Sequence, residues 1–131
     1  MTRTIPSLCF LILAAACMAD ETISGFADPS ADYVLESLDG RGFAAAAVIR
    51  FPEEGQVTGR APCNAFGGEQ TAPYPWFELG PVRATRAACA DMAAERAFFE
   101  ALGAMTLAEV NGPVVILSNE AGREMVFRRA P

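Results

Sequence analysis

The chain has 131 residues and a formal net charge of −6, with 10 arginines, 16 acidic residues, no lysine and no histidine. Its length fits one domain. Because it is acidic and has no run of basic residues, it lacks the electrostatic footprint of a nucleic-acid-binding protein, and the absence of lysine disfavours binding to anionic lipids by charge.

The first residues follow the layout of a secretory signal peptide. Arg3 supplies a positive charge, and residues 8–16 form an unbroken run of apolar or small side chains. A membrane-spanning helix needs about 20 apolar residues, so this run is too short to remain as a span. We therefore predict that residues 1–16 are a signal peptide of the lipoprotein type and that the protein is exported.

The end of this run resembles the lipobox of bacterial lipoproteins, in which a small residue precedes a cysteine that becomes lipidated. In "LAAAC" the cysteine is Cys17, which we predict to be the lipid anchor. Met18 follows it, and in this pattern that favours the outer membrane, so we expect the protein to face the periplasm. The alternative is ordinary cleavage after Ala16 or Ala19, which would leave a soluble periplasmic protein.

Residues 17–31 are polar, small and broken by proline, so we predict a short tether between anchor and domain. The domain itself is predicted to span residues 32–131. Its first part has the pattern of short strands separated by turns. Strands are predicted at 33–38, 48–51 and 56–61, with shorter ones near 69–71 and 76–82. Gly59 is expected to weaken or bulge the third of them.

One helix is predicted, in "ADMAAERAFFEALGAM" (90–105). Asp91 is placed to cap its first turn, and Gly103 is placed to end it in the left-handed conformation. Glu95 and the other charged residues of the helix are expected to face water. The apolar residues that share one stripe and are predicted to be core are Met92, Phe98, Leu102 and Met105.

The C-terminal part predicts a meander of three strands. "MTLAEV" and "PVVILS" flank Asn111-Gly112, which is a strong hairpin signal, and "NEAG" predicts another turn before "REMVFRR". The order of strands, helix and strands shows no βαβ alternation. It therefore predicts an α+β fold, in which a mainly antiparallel sheet has one face covered by the helix.

Cys63 and Cys89 are the two cysteines outside the signal peptide and the anchor. An even pair in an exported domain favours a disulfide. A cysteine nucleophile normally needs a base such as histidine, which the chain lacks, and two cysteines alone do not make a zinc site. A redox-active pair and free thiols stay open as alternatives.

The stretch "YPWF" (74–77) places three aromatic residues around a proline. We predict that it fills the core, with Trp76 packed and its N–H hydrogen-bonded. The alternative is an exposed binding rim. The acidic residues are scattered and form no placed pair, and no phosphate-binding or calcium-binding loop is present in the sequence.

Two motifs in order along the chain resemble the META domain family, which includes HslJ-like proteins. They are "APCNAFGG" around Cys63 and "ATRAAC" ending at Cys89, and "ERAFFEAL" and a closing hairpin follow them. The resemblance runs over about residues 33–128. Pro62 stands where the family usually has glycine, and Ala87-Ala88 replaces a pair that contains methionine.

The resemblance implies a small α+β fold with a curved, mainly antiparallel sheet of about six to eight short strands packed against one helix. It implies no catalytic, cofactor-binding or metal-binding residue, because the family has no agreed enzymatic activity. Members look like envelope or secreted proteins linked to stress tolerance. The motif residues to which it gives a structural role are Asn64, Phe66, Gly68, Thr85 and Arg86.

The sequence thus predicts a non-catalytic META domain lipoprotein of the envelope, monomeric and without a cofactor, with a binding or stress-related role. Its partner is expected to be an envelope protein or a small ligand, and its contact with the membrane to be the lipid anchor. One alternative is a thiol/disulfide redox protein that uses Cys63 and Cys89. Another is an inhibitor of an extracellular hydrolase that inserts a loop such as 72–77.

Overall fold

The computed structural model describes residues 19–131, so the predicted signal peptide and Cys17 lie outside the described part. The helices are the short 3-10 helix Ile23–Gly25 and α1 (Met92–Ala104). The strands are β1 (Tyr33–Leu38), β2 (Arg41–Gly42), β3 (Val48–Arg50), β4 (Gln56–Arg60), β5 (Ala65–Glu69), β6 (Arg83–Ala84), β7 (Leu107–Asn111), β8 (Val114–Ser118) and β9 (Glu124–Arg129).

All nine strands form one antiparallel sheet in the order β6-β5-β4-β3-β1-β9-β8-β7, with β2 paired to β1 beside this path. With the one long helix packed against it, the sheet confirms the predicted α+β fold. The sheet has nine strands, slightly more than the six to eight expected, because the count includes two strands of only two residues, β2 and β6. The N-terminal and C-terminal strands meet where β1 pairs with β9.

Two tight turns set the register of neighbouring strands. Asp39 and Gly40 have φ angles of 52° and 79°, as a two-residue hairpin turn with a right-handed strand twist requires. In the hairpin of β7 and β8, Asn111 pairs with Val114, so the turn residues are Gly112 and Pro113. The predicted hairpin is confirmed, but its turn lies one residue later than Asn111-Gly112. Gly112, at φ 56°, supplies the positive angle.

Gly59 does not weaken its strand, contrary to the prediction. It pairs in regular register with Ile49 on one side and Phe66 on the other. A Cβ atom at this position would collide with the carbonyl oxygen of Val48 and lie 2.8 Å from the ring of Phe66. Glycine is therefore required here by close packing, not by a bulge.

The core lies between the sheet and one face of α1. Phe98 and Leu102 of α1, exposed by 0% and 1%, pack with inward residues of the sheet such as Val115 and Phe127, as their spacing predicted. The predicted helix start is right in position, because Asp91 is the N-cap residue before Met92, but its predicted hydrogen bond and the predicted end at Gly103 are wrong. The Asp91 side chain makes no capping hydrogen bond, and Gly103 lies inside the helix, which ends at Ala104.

The segment before β1 is part of the domain and not a free tether, as far as it is described. Ile23 is 1% exposed and Ala27 and Ala31 are buried. The carbonyl of Glu21 accepts a hydrogen bond of 2.7 Å from the backbone N–H of Tyr74. The prediction that residues 17–31 form a tether therefore fails for residues 20–31.

Candidate functional site

The first candidate site surrounds Cys63 and Cys89, which the structure joins in a disulfide with a Cα–Cα distance of 5.6 Å. Cys89 is exposed, as is every residue from 81 to 90, whereas Cys63 is half-buried at the turn between β4 and β5. The bond fastens an exposed segment to the edge of the sheet. This is the pairing that the sequence favoured.

The side chain of Asn64 links this segment to the fold. It is 4% exposed. Its Oδ1 accepts hydrogen bonds from Thr85 Oγ1 at 2.9 Å and from the backbone N–H of Ala87 at 2.6 Å. Its Nδ2 donates to the carbonyl of Ala87 at 3.0 Å and to Glu95 Oε2 at 2.8 Å. Both ends of the amide are therefore occupied by protein partners.

Glu95 on α1 accepts further hydrogen bonds from the turn between β4 and β5. Its Oε1 accepts from the backbone N–H groups of Cys63 and Asn64 at 3.0 and 2.9 Å. The residue is 5% exposed and makes no ion pair within residues 19–131. We call Cys63, Asn64, Thr85, Ala87 and Glu95 the Asn64–Glu95 network.

The prediction that Glu95 faces water is wrong. The signal was present in the periodicity, because Glu95 lies three residues before Phe98 and seven before Leu102, both buried. A carboxylate on the buried stripe of a helix needs partners there. The N–H groups of the Cys63–Asn64 turn are those partners, and only the tertiary structure brings them to the helix.

The other motif residues have separate roles. Phe66 is buried and meets Phe98 and Phe99 edge-on, at ring distances of 5.6 and 5.3 Å. At Gly68 a Cβ atom would lie 3.0 Å from Leu79 Cδ1, so this position is tight. Arg86 is exposed, and it has no side-chain hydrogen bond or ion pair within the described part of the chain.

Several carboxyl groups with lowered pKa values lie on the surface, outside this network. Hydrogen bonds from Arg123 lower the pKa of Asp39, and Arg123 also pairs with Glu100 of α1 at 2.6 Å. A hydrogen bond from Arg50 lowers the pKa of Asp32. These are partly exposed ion pairs between neighbouring elements. These ion pairs connect neighbouring elements at the surface. Their carboxyl groups are not arranged as a pair for acid–base chemistry.

The second candidate site is the aromatic face, by which we mean Phe26, Tyr74 and Trp76. Phe26 is 53% exposed and Trp76 56% exposed. The rings of Phe26 and Tyr74 stack at a centroid distance of 4.2 Å. Tyr74 is half-buried, and its hydroxyl accepts a hydrogen bond of 3.0 Å from the backbone N–H of Val110 on β7. Backbone pairing of Trp76 with Leu107 holds the loop against the same strand.

The prediction that "YPWF" fills the core is right for Phe77, which is 2% exposed, and wrong for Trp76. Trp76 borders a groove of about 590 Å³. The groove is lined by Ala72, Pro73, Trp76, Phe77, Glu78, Leu79, Gly103, Met105 and Thr106. It is mainly apolar, and the exposed tryptophan at its rim makes this the side of the molecule best suited to contact another molecule.

Within residues 19–131, no group of three or more cysteine, aspartate or glutamate side chains is placed to hold a metal ion. None of the helices in this range is both long enough and apolar enough to cross a membrane.

Several solved protein structures are similar in fold to this chain. A structure of a protein from Burkholderia xenovorans, solved by NMR, matches with a TM-score of 0.60 and 21% identity, over 86% of this chain and 83% of that one. A second NMR structure matches with a TM-score of 0.58 and 21% identity, over 75% and 87%. A crystal structure of a DUF4847 family protein from Bacteroides vulgatus has a TM-score of 0.50 and 19% identity, over 63% and 57%.

At these identities the three structures support the fold alone. The comparison with curated proteins found no match. The family comparison is decisive, because the model of the META domain matches residues 28–131, which include the whole sheet, the helix and both motifs. The chain belongs to the META domain family.

Proposed function

We propose that this protein is an exported envelope lipoprotein whose META domain acts by binding and not by catalysis, in a role connected with envelope stress. The observation that carries the proposal is the Asn64–Glu95 network. It occupies the polar groups of the loop that, in the sequence, most resembles an active site.

A nucleophile or a general base must have an atom free to reach a substrate. Both thiols are used in the disulfide, and both ends of the Asn64 amide are hydrogen-bonded. Glu95 is buried and accepts three N–H donors. This arrangement is that of a structural joint between helix and sheet. It supports the structural role that the family resemblance gave to these residues.

The proposed anchor is Cys17, and the start of the described chain agrees with attachment close to a membrane. Asp20 is three residues after Cys17, and its carboxylate already accepts hydrogen bonds from the backbone N–H and the hydroxyl of Thr22. The domain would thus lie directly on the membrane surface, at the periplasmic side of the outer membrane. Cleavage after Ala16 or Ala19 without lipidation would instead give a soluble periplasmic protein.

The two other activities that the sequence left open make different predictions. A thiol/disulfide exchange protein would have a reduction potential near −120 to −270 mV, roughly, whereas a structural disulfide lies below about −300 mV. A hydrolase inhibitor would form a stoichiometric complex with a cell-wall hydrolase through the loop 72–77. We rank both behind the binding lipoprotein, because neither accounts for the anchor.

The test combines localisation with capture of partners. The full chain is expressed in a bacterial host, the membrane and soluble fractions are separated, and the mature N-terminus is identified by mass spectrometry. We expect an acylated Cys17 in the membrane fraction and a shift of the Cys17→Ala variant to the soluble fraction. Crosslinking in intact cells, with a gene deletion scored for envelope stress sensitivity, tests the binding role. No crosslinked partner and no change in sensitivity would contradict it.

A further inference from the structure

We propose that the aromatic face is a membrane-docking surface, which inserts Phe26 and Trp76 into the interface of the bilayer that carries the lipid anchor. The proposal rests on the proposed anchor at Cys17. It assigns to the exposed aromatic residues a partner of stated chemistry, a bilayer of zwitterionic phospholipid, and it fixes which side of the domain faces the membrane.

The chain between the proposed anchor and the domain is short. Glu21 is four residues after Cys17, and an extended chain covers at most about 3.6 Å per residue, so Glu21 lies within about 14 Å of the anchored residue. The headgroup layer alone occupies about 5–8 Å of that distance. The domain therefore cannot rotate freely above the membrane, and the surface around Glu21 must lie next to it.

Glu21 lies beside the loop that contains Tyr74 and Trp76. Its carbonyl accepts a hydrogen bond of 2.7 Å from the backbone N–H of Tyr74. Tyr74 stacks on Phe26 and lies two residues before Trp76. The point at which the chain enters the domain is thus bonded directly to the loop that carries the aromatic face.

Few large apolar side chains of the described residues are exposed. Among the described residues, the large exposed hydrophobic side chains are Phe26 at 53%, Val34 at 37%, Trp76 at 56% and Val82 at 38%. The two most exposed are the two aromatic ones: Phe26 stacks on Tyr74, and Trp76 follows Tyr74 by two residues in the loop that is bonded to Glu21. Tryptophan concentrates at membrane interfaces, where its flat, partly polar ring is stable between headgroups and acyl chains, and phenylalanine lies on the apolar face of interfacial segments.

Charge decides which lipids fit. Glu21 and Glu78, both exposed, lie beside the aromatic face, and the chain as a whole has a net charge of −6. A protein with this charge is not drawn to anionic headgroups. Docking should therefore depend on apolar contact with zwitterionic phosphatidylethanolamine or phosphatidylcholine, and added salt should not release it.

Trp76 is the only tryptophan of the chain, so its fluorescence reports on this face alone. Protein purified from membranes of cells that export the full chain is reconstituted into phosphatidylcholine–phosphatidylethanolamine vesicles with brominated acyl chains. We expect Trp76 emission to shift to shorter wavelength and to be quenched by the brominated lipid. Phe26→Ser should weaken the quenching, and raising the salt concentration should leave it unchanged.

The matched control moves the tryptophan to another exposed apolar position. Val34 is on β1, which is separated from β7 by β9 and β8 in the sheet order. In the double variant Trp76→Phe and Val34→Trp, the emission should stay unquenched while the protein remains on the vesicles. Thermal unfolding checks that both variants are folded, and Phe26→Ser tests the same face should the relocated tryptophan unfold the protein.

The outcomes separate this proposal from the one on which it rests. If the protein is found in the soluble fraction, the anchor is refuted and the docking surface with it. Retention on the vesicles with Trp76 unquenched, as for the Val34→Trp control, would leave the anchor intact and overturn the docking surface alone. A blue shift of Trp76 without quenching by brominated lipid would mean that protein covers the face, which also overturns the proposal.

Discussion

The Asn64–Glu95 network and the aromatic face lie within one fold but use their side chains in opposite ways. In the network, the buried side chains of Asn64 and Glu95, exposed by 4% and 5%, bond to each other and to polar groups of the neighbouring segments. In the aromatic face, apolar groups are exposed, and Trp76 at 56% is the extreme case. Buried polar groups must find partners in the protein, whereas exposed apolar groups gain most from a partner outside it.

This difference indicates that the network stabilises the fold, whereas the aromatic face serves contact with another molecule. Loss of the network should cost stability, because the buried amide of Asn64 and the N–H groups that donate to Glu95 would lose their partners. Loss of Phe26 or Trp76 should cost little stability, because each of these side chains is more than half exposed. If this division is correct, substitutions in the network should destabilise the fold far more than substitutions of Phe26 or Trp76.

Replacing Glu95 with alanine should have the largest effect. The backbone N–H groups of Cys63 and Asn64 and the Asn64 amide would lose their acceptor, and we expect a loss of about 3–5 kcal/mol in the free energy of unfolding. Urea unfolding followed by far-UV circular dichroism measures it. Glu95→Gln is the matched control, because it keeps the shape and one oxygen, and it should cost less than half as much. A loss below about 1 kcal/mol for the alanine variant would contradict the structural role.

Removing the disulfide should come next. The bond joins residues 26 positions apart, and closing a loop of this size contributes about 3.5 kcal/mol in the chain-entropy model. The Cys63→Ala, Cys89→Ala double variant should lose that amount in urea unfolding. Reduction of the unmodified protein should lower its stability to the same level, while the double variant should be indifferent to reductant. Equal stability of the oxidised and reduced protein would argue for a redox role instead.

The ion pair between Asp39 and Arg123 lies outside both regions. It shows how much a surface ion pair contributes to the stability of this fold. Hydrogen bonds from Arg123 lower the pKa of Asp39 in the folded protein. The resulting stabilisation is present above the pKa of the unfolded chain, about 3.9, and is lost as the pH falls through the lower folded value.

We therefore expect Asp39→Asn to lower the melting temperature at pH 7 and to have little effect near pH 2. Asparagine suits the site because Asp39 has a φ of 52°, which asparagine also tolerates. Differential scanning calorimetry at both pH values tests the sign. A destabilisation by Asp39→Asn that grows as the pH falls would contradict it.

Replacing Trp76 with serine should have the smallest effect on folding. The ring is more than half exposed, and a surface substitution of this kind changes the free energy of unfolding by about 0.5 kcal/mol or less. Phe77→Ser is the contrasting variant in the same loop, because Phe77 is 2% exposed and its removal should cost about 3 kcal/mol or more. Comparable losses from the two would mean that Trp76 serves the core after all.

Local patterns predicted most of the secondary structure correctly. Asp39-Gly40 and Gly112 mark the positions of their turns, because they adopt backbone angles that few residues tolerate. The stripe of Phe98, Leu102 and Met105 likewise identified the buried face of α1. Such features depend on neighbours within a few residues, so the sequence is enough to find them.

Apart from the ends of α1 and the exact position of the β7–β8 turn, the errors concern groups whose partners come from other parts of the chain. Gly59 is needed because Val48 and Phe66 close in on it from two neighbouring strands. The segment 20–31 is packed and not a tether, because Tyr74 and Tyr33 supply its hydrogen-bond partners. None of these contacts has a signature in the local pattern of residues.

By itself the sequence determined the α+β fold, the meander, the pairing of Cys63 with Cys89 as the favoured state, and the family. Only the tertiary structure decided that Glu95 is buried and that Trp76 is exposed. Both reversals have one physical reason. Whether a side chain is stable in the interior depends on whether another part of the chain brings it a partner, as Asn64 does for Glu95 and as no described residue does for the ring of Trp76.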